Sequence, residues 1–227
     1  MQAPKYYKTE FDRIAGGYDL IFDGMTFFQI KKLRRKAIDM LNLKEGDSAI
    51  DFACGTGGIT TLLAEKVGKK GKVVGIDLSE EMLKIAIKKS RQYPQIKYIR
   101  HNFEHTHFRN AFNAATVGFA AHEVPPGPRH NLYREAFKAL KPKGRLLVFD
   151  YASEVNILLR PLLWLWLKAV EQPYGLEYAG EEHQKILESI GFKLVIRQRF
   201  AFLFDASVYT KELKVNKRGK QKMQRGL

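Results

Sequence analysis

Apolar positions along the chain alternate between two patterns: short, nearly unbroken runs, and longer stretches where they recur at helical spacing. Ala49, Ile50, Phe52 and Ala53 form one such run, suited to a central parallel strand buried on both faces, and Ile59, Leu62, Leu63 and Val67 then follow with helical period. The alternation repeats. Val73 to Ile76 reads as a second strand ending in Asp77. Ser79 is placed to cap a helix whose first turn carries Glu80 and Glu81 and whose buried side is Met82, Leu83, Ile85, Ala86 and Ile87. A third strand is expected from Ile96 to Ile99, a fourth from Ala114 to Ala121, a helix from Asn131 to Leu140, and a fifth strand from Arg145 to Tyr151 after a turn at Gly144. A helix from Glu181 to Ile190, closed by Gly191, precedes two strands, Phe192 to Phe204 and Ala206 to Leu213, joined near Asp205. Strands that alternate with helices predict an α/β fold with a parallel sheet, and the closing hairpin supplies an antiparallel edge.

The junction between the first strand and its helix reads DFACGTGGIT, from Asp51 to Thr60. Gly55, Gly57 and Gly58 lack a β-carbon, so the backbone there can take positive φ and let a ligand approach it closely. The helix that follows offers free N–H groups. A dinucleotide fingerprint needs glycine where this chain has Thr60, so that pattern fails. Asp51, four positions before the first glycine, can pair with a cationic ligand. Asp77, at the end of the second strand, is placed to accept from both hydroxyls of a ribose. The expected ligand carries a ribose and a positive centre, and needs no pyrophosphate.

At these residues the chain resembles the class I S-adenosylmethionine-dependent methyltransferases. Their acidic-x-x-x-G-x-G motif is matched by Asp51, Gly55 and Gly57, their second motif by Asp77, and their fifth strand by GRLLVFDY after KALKPK. The opening F-D-x-I-A-x-x-Y-D pattern, here Phe11, Asp12, Ile14, Ala15, Tyr18 and Asp19, is most similar to the ubiquinone and menaquinone C-methyltransferase branch. The resemblance implies a Rossmann-like, doubly wound sheet of seven strands, mostly parallel, with a helical N-terminal lid. It implies S-adenosyl-L-methionine as cofactor, Tyr18 as a lid residue near its methionine part, and Leu78 against its adenine. An Asp after the third strand contacts the adenine in that family, and this chain has Asn102 there, with Phe103 beside it. The cofactor-binding set implied is Tyr18, Asp51, Ala53, Gly55, Thr56, Gly57, Asp77, Leu78, Met82, Asn102, Phe103 and Ala120.

Ligands of open α/β sheets bind beyond the carboxyl ends of the strands, which directs His122 and Glu123, at the end of the fourth strand, toward the methyl acceptor. His122 has the intrinsic pKa of a general base near neutrality; the alternative is that it packs a loop. Glu123 is expected either to orient that imidazole or to hold a cationic acceptor. His101, His105 and His107 cluster after the third strand, but without cysteine partners or an obvious fourth ligand they are read as a solvated loop, and no metal is expected.

At 227 residues the chain has room for one well-cored domain, taken as residues 1–213, with 1–44 as the lid, 152–178 as an apolar insertion and 214–227 as a basic tail. Lys and Arg outnumber Asp and Glu by 39 to 24, a net charge of +15, and seven of those basic residues lie between Lys211 and Leu227. Such a surface suits an anionic lipid or a nucleic acid, or is a solvated tail. The single cysteine, Cys54, excludes an intrachain disulfide. Met1 to Gly17 has no apolar signal segment, and the longest apolar stretch, residues 157–170, is broken by Arg160, Pro161 and Lys168; a cytoplasmic protein is expected, one able to touch a membrane without crossing it. Trp164 and Trp166 in that stretch suit an apolar pocket, a bilayer surface, the core or a second subunit, so peripheral membrane contact and a homodimer both stay open.

Three functions are compatible with these features. The leading one is methylation of a small hydrophobic or membrane-associated acceptor, a quinone precursor or lipid. The quinone branch commonly shows Arg-Asn-Val where this chain has His122, Glu123 and Val124, which favours the broader reading over the quinone itself. RNA methylation follows from charge, yet Pro125 and Pro126 lack the preceding Asp or Asn and the following aromatic of base-amino methyltransferases, and Cys54 lies in the cofactor turn. A non-catalytic cofactor-binding protein is the third.

Overall fold

The structure, a computed structural model, describes residues 29–152, 174–200 and 204–212. Tyr18, most of the lid, the stretch 157–170 and the basic tail lie outside the described residues. Helix α1, Ile30–Asp39, lays Ile30, Leu33, Ala37 and Ile38 into the core, with Leu41 just beyond its end. Strand β1, Ser48–Phe52, leads through the glycine turn into α2, Gly58–Val67. Next come β2, Lys72–Asp77, and α3, Glu80–Lys89, the latter capped by Ser79, whose Oγ accepts from the Met82 N–H at 3.1 Å. Strand β3, Ile96–Arg100, is followed by a 3₁₀ turn at Phe103–His105, and β4, Phe112–Gly118, by another at Ala121–Glu123. The chain continues through α4, Pro126–Ala139; β5, Leu140–Tyr151; α5, Tyr174–Gly180; α6, His183–Ile190; β6, Phe192–Phe200; and β7, Phe204–Lys211.

One seven-stranded sheet results, in the order β3-β2-β1-β4-β5-β7-β6, with β7 antiparallel to both neighbours. From β1 the chain winds outward through β2 and β3, then returns to place β4 on the other side. The order therefore reverses between β1 and β4, and their carboxyl ends open a crevice where open α/β sheets bind ligands. Ala49, Ile50 and Phe52 of β1 are fully covered, as are Ala114, Ala115 and Val117 of β4. Solvent cannot enter between these two strands except at their ends.

Several boundaries differ from the sequence reading, each for a local reason. The fourth strand stops at Gly118, because Phe119 takes a left-handed backbone (φ 52°) and the chain turns at once. Helix α4 begins at Pro126, where a missing N–H costs nothing in the first turn. The fifth strand already begins at Leu140, paired with Phe112, and a register shift carries it past Gly144 to Arg145, opposite Ala114. Ile87 of α3 is 53% exposed, off the buried face that Met82, Leu83 and Ala86 share. Asp205 is no turn residue: it lies inside β7 beside Asp150 and receives a bidentate pair from Arg199 at 2.9 and 3.0 Å. Gly191 closes α6 as expected, with φ 118°.

Candidate active site

Where β1 and β4 end, a cleft of about 850 Å³, counting its open mouth, is walled by residues of four neighbourhoods. Ala53, Cys54, Gly55 and Thr56 come from the glycine turn, Gly58 and Ile59 from the start of α2, Asp77, Leu78 and Met82 from the β2–α3 junction, and Gly118, Phe119, Ala120, Glu123 and Val124 from the end of β4. Asp51, Phe103 and Arg34 complete the wall. Ala53 and Phe119, one on each side of the crevice, are non-glycine residues at φ 52°, a conformation costing on the order of 1 kcal/mol or more.

Asp51 ties the crevice together. Its two oxygens accept from the hydroxyls of Thr60 on α2 and Thr116 on β4, each at 2.6 Å, and it is 1% exposed. Burial pushes its carboxyl up to about 6, against the pull of those hydroxyls and of Arg34; Asp77 adds to the rise. Burial likewise holds the Cys54 thiol well above its ordinary range, so it stays a neutral lining group. Asp77 is less enclosed and accepts from the N–H groups of Gly55 at 2.7 Å and Ser79 at 2.9 Å, which fixes its carboxylate at the cleft edge.

The two glycines of the motif do different work. A Cβ at Gly55 would meet no protein atom within 4 Å, so room beside the turn is left for a ligand. At Gly57, φ is 79° and a Cβ would lie 2.7 Å from the Tyr98 hydroxyl and 3.1 Å from Ala86 Cβ. Gly57 is thus demanded by packing, and it does not line the cleft. Asn102 does not either: its Oδ1 accepts from the Glu104 N–H at 2.9 Å, capping the 3₁₀ turn that presents Phe103.

The turn at the end of β4 separates His122 from Glu123. Glu123 stands on the cleft wall, whereas His122 is 1% exposed and lies behind it. His122 Nδ1 meets Asp150 Oδ1 at 2.5 Å, and Asp150 also accepts from the N–H groups of Ala121, His122 and Tyr151. The carbonyls of the same turn are held from the other side. Arg129, fully buried, donates to the Ala121 and Val124 oxygens and pairs with Glu181 at 2.5 Å.

The sequence reading did not place Arg34, Ile59, Gly118, Phe119 or Val124 at the cleft. Arg34 left a signal: it falls four residues after Ile30 and three before Ala37, on the apolar face of its helix. A charge on that face needs a reason, and here its guanidinium reaches the glycine turn. Its Nη1 fills the place where a Gly58 Cβ would sit, and its centre lies 5.8 Å from the Phe119 ring. No group of three or more His, Cys, Asp or Glu able to hold a metal occurs among the described residues.

A strand-order reversal, a glycine turn into a helix and an acid closing β2 form a crevice suited to a nucleoside that carries a further charged part. The lining chemistry fits S-adenosylmethionine: Asp77 for a ribose, Asp51 for the field around a cationic centre, the Arg34 guanidinium for a carboxylate, and apolar surface for an adenine. The chain belongs to the ubiE/COQ5 methyltransferase family, whose model matches residues 2–195. It is 34% identical over 171 residues to the 2-phytyl-1,4-naphtoquinone methyltransferase of Thermosynechococcus vestitus, covering 73% of this chain and 75% of that one. Identity to the demethylmenaquinone methyltransferase of Bacillus licheniformis is 31% over 170 residues, 74% and 72% of the two chains. Among solved structures, an S-adenosylmethionine-dependent methyltransferase from Aquifex aeolicus superposes with a TM-score of 0.63 at 21% identity, over 78% of this chain and 89% of that one.

Proposed function

We propose that the protein methylates a ring carbon of a quinone-type acceptor carrying a hydrophobic tail, in its reduced, phenolic form. The observation that carries this is the likeness to the two quinone methyltransferases. The cleft supports it, since Ile59, Phe103, Phe119 and Val124 give its walls apolar surface next to the one wall acid at the end of β4, Glu123. When bound, S-adenosylmethionine supplies an electrophilic methyl group on a sulfonium.

In this reading Asp77 accepts from the ribose hydroxyls, Leu78, Met82 and Phe103 flank the adenine, and Ala53, Gly55, Thr56 and Ala120 bound the methionine part. Asp51, tied to two threonines, sets the field around the positive centre and does not contact it. Tyr18 as lid residue and the apolar stretch 157–170 as membrane-facing segment remain part of the proposal on sequence grounds. Among the described residues no helix is long and apolar enough to cross a membrane. Alignment supplies much of the acceleration for an in-line displacement, so a preformed crevice suits the reaction.

The test is transfer from methyl-labelled S-adenosylmethionine to a reduced 2-prenyl-1,4-naphthoquinone. Label is expected in the organic phase, in the methylated ring; label absent there, or found in RNA when a whole-cell extract is offered, overturns the acceptor. Asp77→Ala should abolish cofactor binding by calorimetry, and unchanged affinity would defeat the cofactor geometry proposed.

A further inference from the structure

Among the described residues the cleft wall carries three acids. Asp51 accepts from Thr60 and Thr116, and Asp77 from two backbone N–H groups. The third, Glu123, stands at the end of β4 with a side chain 16% exposed. Directly behind it lies His122, whose Nε2 is 3.8 Å from Glu123 Oε1 and whose Nδ1 meets Asp150. Because the Asp150 oxygens can only accept from their four N–H neighbours, Nδ1 carries the ring proton. A neutral imidazole then has its lone pair on Nε2, on the side of Glu123. The turn bearing both residues is clamped from above and below by Asp150 and Arg129, so this order is fixed by the fold.

We propose that Glu123, His122 and Asp150 form a proton path leading from the cleft into the protein, with Glu123 the group that meets the acceptor. The proposal rests on the phenolic acceptor above. Methylating a ring carbon next to a phenol replaces C–H by C–CH₃, and one proton is released overall as the sulfonium charge is lost. The phenolic O–H proton passes to the Glu123 carboxylate, and the ring carbon beside the resulting phenolate becomes the nucleophile. When the ring regains aromaticity, its C–H proton restores the hydroxyl. The proton on Glu123 passes on to His122 Nε2, forming an imidazolium that faces Asp150, and returns by way of Glu123 to water at the cleft mouth. At 3.8 Å the handover needs a rotation of the Glu123 side chain or one bridging water. His122 is thus a positioning and relay residue. Other titratable or charged groups around the pair are Tyr151, edge-on to the imidazole at 4.8 Å; Tyr178 at 6.4 Å; His183, stacked on Tyr178; Arg129, 5.1 Å over the Tyr178 ring and paired with Glu181; and Tyr133, which feels Asp150.

Two measurements test the path. With the reduced 2-prenyl-1,4-naphthoquinone, Glu123→Gln should lower kcat about 100-fold or more near neutral pH, the scale of a lost general base. Its affinity for S-adenosylmethionine should stay within about twofold, since Glu123 leaves the cofactor contacts intact. Activity of the variant should climb about tenfold per pH unit toward the acceptor's own phenol ionisation, because hydroxide then does what the carboxylate did. His122→Asn should cost about tenfold and leave the acidic limb of the profile in place. Independently of any acceptor, the imidazole resonances of His122 followed by NMR should titrate at lower pH in Glu123→Gln, by about half a unit or more, as a neighbouring carboxylate is removed. Wild-type rates in Glu123→Gln, a loss equal at every pH, or a His122 titration that does not move would each overturn the path. If the wild-type enzyme leaves the naphthoquinol untouched, the acceptor reading falls, and the NMR titration alone decides whether Glu123 and His122 are coupled.

Discussion

Among the described residues Arg34 is the one cation on a wall that otherwise carries three acids, and it stands beside Gly58 and Phe119, in the proposed reading the methionine end of the cleft. An α-carboxylate there would gain a charge-assisted pair, so Arg34→Met is expected to weaken S-adenosylmethionine binding by about 10- to 100-fold. Binding of 5′-methylthioadenosine, which has no carboxylate, should barely change. Calorimetry with both ligands separates the two cases: equal losses would mean that Arg34 merely packs the wall. Asp51 leads to a prediction about pH. Its carboxyl is raised to about 6 by burial, so between about pH 4 and pH 6 the folded chain keeps a proton that the unfolded chain has released. Folding stability contributed by this group therefore falls as pH rises through that window. A cationic ligand favours the ionised form, so affinity for S-adenosylmethionine should rise as pH climbs through about 6, by up to about tenfold from pH 5 to 7.5. Asp51→Asn should flatten that rise; a wild-type affinity already flat over this range would show that Asp51 does not sense the ligand.

At the scale of elements, the glycine turn separates stability from binding. Gly57→Ala must force a left-handed backbone onto alanine and drive its methyl into Tyr98 and Ala86, both belonging to elements packed on the turn. A loss of about 2–4 kcal/mol is expected in urea unfolding. Gly55→Ala meets no atom within 4 Å, so only the backbone strain of about 1 kcal/mol applies, and the larger effect should be on cofactor affinity. If the two variants unfold alike, the packing assignment of Gly57 is wrong. The same turn illustrates what the sequence made legible. Strand, turn and helix follow from hydrophobic period and glycine content, both local, and so the sheet and the crevice could be anticipated. The split between Gly55 and Gly57 could not, because it depends on Tyr98, more than 40 positions away. His122 and Glu123 were both assigned to the acceptor side, yet only the positive φ of Phe119 and the 3₁₀ turn after it decide which faces the cleft. Asp150 entered the sequence reading only as part of a strand; its bonds to the turn cross 28 residues and leave no periodic trace.

At the scale of the whole molecule, a protein of net charge +15 must reach the tailed, apolar acceptor proposed above. On α1 the positive side chains of Lys31, Lys32, Arg35 and Lys36 are exposed, on the helix whose Arg34 lines the cleft, so the basic surface and the cleft share an element. A further six basic residues lie in 214–227 with no acid among them. Each lysine or arginine near an anionic bilayer contributes about 1 kcal/mol, and the attraction is screened within roughly 10 Å at about 0.1 M salt. The chain is therefore expected to co-sediment with vesicles containing phosphatidylserine at low salt, to leave them as salt is raised, and to ignore vesicles of phosphatidylcholine alone. Ending the chain at Leu213 would reduce the charge from +15 to +9 and should weaken vesicle binding by at least tenfold, given the roughly 1 kcal/mol per residue above, while leaving methylation of a short-tailed, water-soluble naphthoquinol unchanged. Retained vesicle binding after truncation, lost on reversing Lys31 and Lys32 to glutamate, would move the membrane face onto α1. Binding to neutral vesicles with no salt dependence would instead point to the apolar stretch at 157–170 and remove charge from the account.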